Sequence, residues 1–202
     1  MSTINGKVCV VDGVAVDKVF SDGKQVYGRN LYLDTKDIAN TNLWFSNQYW
    51  TKQPDKYNSL AVMQATVNWN GLSQYIKVKT GEVYTFSFYA MYTSGIGAST
   101  IYWLPNPKSE PGYTSAQVST TNKSVNLSDN WQRVSVTITI TADGYIRPRI
   151  ERTDNNSNVL QIAGMKLETG TLATPWTPAP EDVLKGDITA PNNLVESQSY
   201  IK

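Results

Sequence analysis

The feature that most constrains this chain is period-two alternation. Four stretches carry it: LAVMQATVNW at 60–69, VYTFSFYAMY at 83–92, QRVSVTITIT at 132–141 and YIRPRIE at 145–151. Successive side chains of a strand point to opposite faces, so such stretches read as strands with one buried face. No stretch places apolar residues at the i, i+3, i+4 and i+7 spacing of an amphipathic helix. In 83–92, Tyr84, Phe86, Phe88 and Ala90 fall on the core side, and Thr85, Ser87 and Tyr89 on the open side. In 132–141, Val134, Val136, Ile138 and Ile140 point in, and Arg133, Ser135, Thr137 and Thr139 point out. In 145–151, Ile146 and Ile150 point in, leaving Arg147, Arg149 and Glu151 on the open face. Pro148 cannot donate to a sheet ladder, which limits that strand to an edge, a bulge or an end. Short strands separated by Gly, Asn and Pro turns predict an all-β, two-sheet antiparallel sandwich.

Three segments follow from the turn chemistry. Residues 1–29 carry two turn signals, Asp12-Gly13 and Asp22-Gly23, between short apolar runs. They predict small β-hairpins that must pack on something, which makes this a docking or oligomerisation segment. Residues 30–180 hold the sandwich. Residues 181–202 form a C-terminal tail after the prolines at 175, 178 and 180. The composition excludes several chemistries. With His 0 and a single cysteine, Cys9, there is no Ser–His or Cys–His nucleophile, imidazole metal site or internal disulfide. A net charge of +1 is no footprint of nucleic-acid binding. No apolar run approaches the ~20 residues of a membrane span, and no signal peptide is read. Cys9 alternates with Val8 and Val10, so it reads as a buried or interface thiol.

Four stretches occurring in order carry a family resemblance: GRNLYLDTKD at 28–37, GLSQYIKVKTGEVYTFSFYA at 71–90, LSDNWQRVSVTIT at 127–139 and MKLETGTLATPWTPAPED at 165–182. The chain resembles the jelly-roll carbohydrate-binding modules first known from xylanases and cellulases. It is most similar to the version carried by tail and baseplate proteins of phages that infect Gram-positive bacteria. The resemblance implies a jelly-roll sandwich whose concave face takes glycans. It implies a non-enzymatic virion protein at the host cell surface, with cell-wall polysaccharide or another glycan as ligand and other phage structural proteins, or further copies of itself, as partners. Neither nucleic acid nor membrane is an expected partner. Many enzyme-linked members place an Asp in the last strand near a structural calcium. Here that stretch is QIAGMKLE, with Ala163 and Gly164, so no cofactor and no metal ligand are expected.

A saccharide site needs flat rings against which pyranose C–H groups stack, beside amide, guanidinium or carboxylate partners for the hydroxyls. The candidates are Trp44, Trp50 and Trp103 in loops, Tyr89 and Gln64 on strand faces, and Arg147, Arg149 and Glu151 on the 145–151 strand. Tyr102 accompanies Trp103 ahead of a proline-rich loop. Trp69, Trp131 and Trp176 are assigned to packing, Trp69 because it shares a side with Val67 and Ala65. Glycoside hydrolysis requires a pair of carboxylates across a cleft, and no such pair is patterned here. A structural or decoration protein that keeps the sandwich without a glycan site is the alternative.

Overall fold

A computed structural model describes residues 7–12, 14–106, 111–153, 155–184 and 194–196. The first six residues of the opening segment, Gly13 of the first turn signal and most of the 181–202 tail lie outside the described residues.

The larger layer is a six-stranded antiparallel sheet in the order β10-β12-β8-β15-β6-β5. Its members are β5 (Thr51–Tyr57), β6 (Leu60–Ala65), β8 (Val83–Tyr92), β10 (Gln117–Val118), β12 (Gln132–Ala142) and β15 (Leu160–Thr169). The facing layer holds β11 (Lys123–Val125), β9 (Ser99–Tyr102) and β14 (Arg149–Arg152), in that order. It also holds the pair β13 (Gly144–Ile146) and β7 (Ile76–Val78). The N-terminal part forms β1 (Val8–Val11), β2 (Val14–Ala15), β3 (Lys18–Ser21) and β4 (Lys24–Gly28). β1 pairs with β2 and, in parallel, with β16 (Leu194–Glu196). β3 and β4 form a hairpin. Asp22 and Gly23 turn it with φ of +50° and +73°, the paired positive φ that suits a tight hairpin. One short helix, α1 (Pro180–Leu184), follows the sandwich.

The expected all-β sandwich is present, and the alternation explains its core. Phe86 and Phe88 of β8, Ile138 and Ile140 of β12, Ile101 of β9 and Ile150 of β14 meet between the layers with Tyr32 and Trp103. β8 and β12 pair from Thr139↔Val83 to Gln132↔Ala90, so their inward residues stand side by side. Ser135 and Thr137 are exposed as the pattern requires.

Three readings of the sequence are corrected. First, the strand expected over 60–69 stops at Ala65, because the Asn-Trp-Asn-Gly run at 68–71 forms a turn. Second, the strand expected over 145–151 is two strands with different neighbours. Pro148 breaks it, so β13 pairs with β7 and β14 with β9. Third, Thr85 and Ser87, expected on an open face, are buried. The 170–174 segment lies over them: Thr85 Oγ1 donates to the Gly170 carbonyl at 2.7 Å, and Arg133 Nη2 donates to both Ser87 Oγ and the Thr174 carbonyl.

A buried clasp built from the KLETGTLAT run at 166–174 holds that cover in place. Lys166 and Glu168 lie on the outer side of β15 and are fully buried. Lys166 Nζ donates to Thr174 Oγ1 at 2.7 Å and to the Pro175 carbonyl at 2.9 Å. Glu168 accepts from the Thr174 N–H at 2.9 Å and the Thr174 hydroxyl at 2.6 Å. The Gly28 N–H donates to the same hydroxyl at 3.1 Å, which ties the hairpin to the sandwich. Burial pushes the Lys166 ammonium down to about 8 and the Glu168 carboxyl upward. Cys9 packs with Val19 and Tyr27 beneath the hairpin, its thiol pushed up to about 11 by burial.

One edge of the large sheet is β5, the other β10. β5 is mostly exposed, carries Lys52, Pro54 and Lys56, and its register with β6 shifts between Lys52 and Lys56.

Candidate functional site

The outer face of the smaller layer gathers the groups that can recognise a ligand. Ile101 and Ile150 point into the core, so their strand neighbours Thr100, Tyr102, Arg149 and Glu151 point outward. Register puts Arg149 opposite Tyr102, and Glu151 opposite Thr100. The 68–71 turn lies alongside β14. The Trp69 N–H donates to the Arg152 carbonyl at 3.0 Å, with Trp69 at φ +62°. Trp50 Nε1 donates to the Asn70 carbonyl at 2.7 Å, fixing the turn from below. The result is a Trp69 side chain 46% exposed, its ring 6.3 Å from that of Tyr102 at 65°. Gly71 is required here: a Cβ would stand 2.8 Å from the Cγ atoms of both Arg149 and Glu151.

Beneath the two rings lies a nearly buried ion pair. Arg149 Nε donates to Glu151 Oε1 at 2.5 Å, and the two residues are 6% and 5% exposed. Arg149 Nη1 also donates to the carbonyls of Leu104 and Arg147, at 2.9 and 3.0 Å. Its guanidinium carbon sits 5.5 Å from the Tyr102 ring centre. A charge removed from water needs both a counter-charge and filled hydrogen bonds, and this arrangement supplies them. Beside Tyr102 and Arg149 opens a cleft of about 690 Å³, rimmed by polar groups of Asn106, Gln117, Thr120 and Thr121.

The candidate residues do not converge on one site. Arg149 and Glu151 occupy the expected face, but the 68–71 turn and Leu104 cover them. Arg147 is buried on the same face, its guanidinium 5.0 Å over Phe45 and 5.7 Å over Tyr75. Trp44 and Trp103 are core residues: Trp44 meets Tyr32 edge-on at 5.9 Å, and Trp103 lies 6.4 Å from Phe86. Trp50 is buried and supports the turn from underneath. Gln64 and Tyr89 lie on the outer face of the other layer, since Met63 and Phe88 beside them point into the core. Trp69, assigned to the core, is exposed instead. Extending the 60–69 strand past its turn gave Trp69 a false parity. Asn68, Asn70 and Gly71 were the signal that could have ended it.

A structural calcium near the end of β15 does not fit the residues present. Asn30 Nδ2 fills the polar centre there, within 3.1–3.2 Å of Thr35 Oγ1 and the carbonyls of Met165 and Thr177. Both carboxylate oxygens of Glu168 are committed to Thr174. Among the described residues no three acidic, cysteine or histidine side chains group together.

A family model described as a carbohydrate binding domain matches residues 33–157. Among solved structures, the chain is similar to a family 4 carbohydrate-binding module, with 19% identity, TM-score 0.46, and coverage of 69% of this chain and 97% of that one. It is similar to the CBM22-1 xylan-binding domain of Paenibacillus barcinonensis Xyn10C, with 15% identity, TM-score 0.40, and coverage of 65% and 95%. It is also similar to the tripod from the baseplate of bacteriophage Tuc2009, with 17% identity, TM-score 0.45, and coverage of 87% and 65%. No curated protein sequence matches the chain.

Proposed function

The chain belongs to the carbohydrate binding domain family, and from that premise we propose that it binds saccharide across the Trp69–Tyr102 face. The observation that carries this is the exposed Trp69, set by its turn beside Tyr102 and above a buried Arg149–Glu151 pair. A pyranose stacks its C–H face on the rings while its hydroxyls meet the polar rim of the adjoining cleft. The buried ion pair underlies the Tyr102 ring and holds it in place before the ligand arrives, which lowers the ordering cost of binding.

The protein acts without catalysis in this reading. The described residues of the face and cleft include one carboxylate, Glu151, already paired to Arg149. Hydrolysis of a glycosidic bond needs two. The setting is a phage virion, at the tail or baseplate, where the domain holds host cell-wall polysaccharide during adsorption. This rests on the phage-type sequence resemblance at both ends of the sandwich. The N-terminal strands serve as the docking segment, and many copies turn weak single-site binding into firm attachment.

A glycan array and a cell-wall pull-down with the full chain test the proposal. Trp69→Ala and Tyr102→Ala should each reduce binding at least tenfold while leaving the circular dichroism spectrum unchanged. Undiminished binding by both variants would refute the site. Burial of Arg147, Arg149 and Glu151 by the chain's own turns favours a second reading, a decoration protein with a closed face. Absence of any wall-glycan binding by the wild type would decide for it.

A further inference from the structure

The outer face of the larger layer carries an aromatic patch that the proposed site does not use. Tyr57 ends β5, Tyr89 lies in β8 and Trp131 precedes β12. The Tyr57 and Trp131 rings stack at 4.4 Å and 20°, and Tyr89 meets Tyr57 edge-on at 5.1 Å. All three are half-buried, resting on Leu60, Val62, Ala163 and Trp176. Two residues along the sheet from Tyr89, Gln161 Nε2 donates to Gln64 Oε1 at 3.0 Å across paired strands. Each amide keeps a second polar atom, a donor on Gln64 and an acceptor on Gln161.

The backbone is shaped to permit this. β15 shifts register between Ala163 and Lys166, and Gly164 sits there at φ +58°. A Cβ on Gly164 would come within 3.3 Å of the Tyr89 ring and 2.6 Å of Leu60 Cδ1. The bulge and its glycine therefore let the rings lie close over the sheet.

We propose that this patch is a second saccharide platform, on the opposite face of the sandwich from Trp69 and Tyr102. Its ligand class is a pyranose chain without fixed positive charge: Tyr57 and Trp131 supply rings, the amides supply hydroxyl partners, and the Arg133 guanidinium lies 4.7 Å over the Tyr89 ring. The proposal rests on the saccharide-binding reading of the family. Its consequence is that a single chain bridges two glycan strands.

Calorimetric stoichiometry on the full chain tests it, with cello-, xylo- and chito-hexaose as probes at millimolar concentration. The wild type should bind two molecules per chain of at least one probe. Trp69→Ala/Tyr102→Ala should bind one, Gln64→Ala/Gln161→Ala should weaken the remaining site about tenfold, and Tyr57→Ala should remove it. The glutamine pair is half-exposed, so that variant keeps the test valid should Tyr57→Ala unfold. One molecule per chain, lost entirely in Trp69→Ala/Tyr102→Ala and unchanged in Gln64→Ala/Gln161→Ala, overturns the second platform and leaves the first standing. No binding of any probe by the wild type overturns both.

Discussion

Replacing Gly28 with alanine should destabilise the protein through one carboxylate. A Cβ at Gly28 would stand 2.9 Å from Glu168 Cδ and would overlap Glu168 Oε2 outright. Gly28 itself is not in the left-handed region, so the cost is steric and not conformational. Glu168 is fully buried and must swing away, losing its bonds from the Thr174 N–H and hydroxyl. A hydrogen bond to a charged group contributes roughly 1.5–3 kcal/mol, so the two together give a loss of at least ~3 kcal/mol. For a chain of this size that corresponds to a fall of roughly 6–12 °C in Tm. Differential scanning calorimetry of Gly28→Ala should show it. The same substitution in a Glu168→Ala background should cost much less, because the obstructing atoms are gone. A double-mutant cycle over the four proteins isolates the coupling. Equal cost of Gly28→Ala in both backgrounds would refute the steric argument, as would a Tm within about 2 °C of wild type.

Two further outcomes are expected. The depressed Lys166 ammonium, at about 8 in the folded chain against roughly 10.4 unfolded, leaves the unfolded state holding more protons between those values. Its contribution therefore makes stability rise with pH across that window, by up to ~1.4 kcal/mol per pH unit. Cys9, raised to about 11, acts in the opposite direction over a similar range. The difference between wild type and Lys166→Met in urea midpoints at pH 8 and pH 10 isolates the lysine, and a difference independent of pH would contradict the assignment. Trp50→Phe removes the Nε1 bond to the Asn70 carbonyl while keeping most of the ring volume. One neutral hydrogen bond is worth ~1 kcal/mol, so saccharide affinity should fall about fivefold as the Trp69 turn loosens. Unchanged affinity in titration calorimetry would show that the turn holds without it.

What the sequence revealed depended on how local each cause was. The alternation in 132–141 is a property of one strand, and Val136, Ile138 and Ile140 are buried as expected. The burial of Thr85 and Ser87 depends on residues almost a hundred positions away, clasped through Lys166, Glu168 and Thr174. No pattern within 83–92 contains that. Arg149 and Glu151 were placed on the correct face by parity, but their cover comes from the 68–71 turn. The same parity distinguishes Tyr102 from Trp103: with Ile101 inward, Tyr102 faces out and Trp103 faces in. The short strand Ser99–Tyr102 carries too few residues for the alternation to show, so the sequence does not separate the outward Tyr102 from the buried Trp103. Trp69 departs from its expected burial for the opposite reason: the strand ends at Ala65 and a turn follows.

Strand β5 has a consequence for crowding. A sheet six strands wide would ordinarily offer such an edge to a neighbouring molecule, and that hazard grows when many copies stand shoulder to shoulder. Pro54 withdraws one amide from that edge, and the register shift between Lys52 and Lys56 bends it away from straight. Lys56, paired with Asp37, and Lys52, bonded to the Asp37 carbonyl, flank the edge with charged side chains. Copies of the chain standing side by side would therefore be hindered from pairing sheet to sheet through β5.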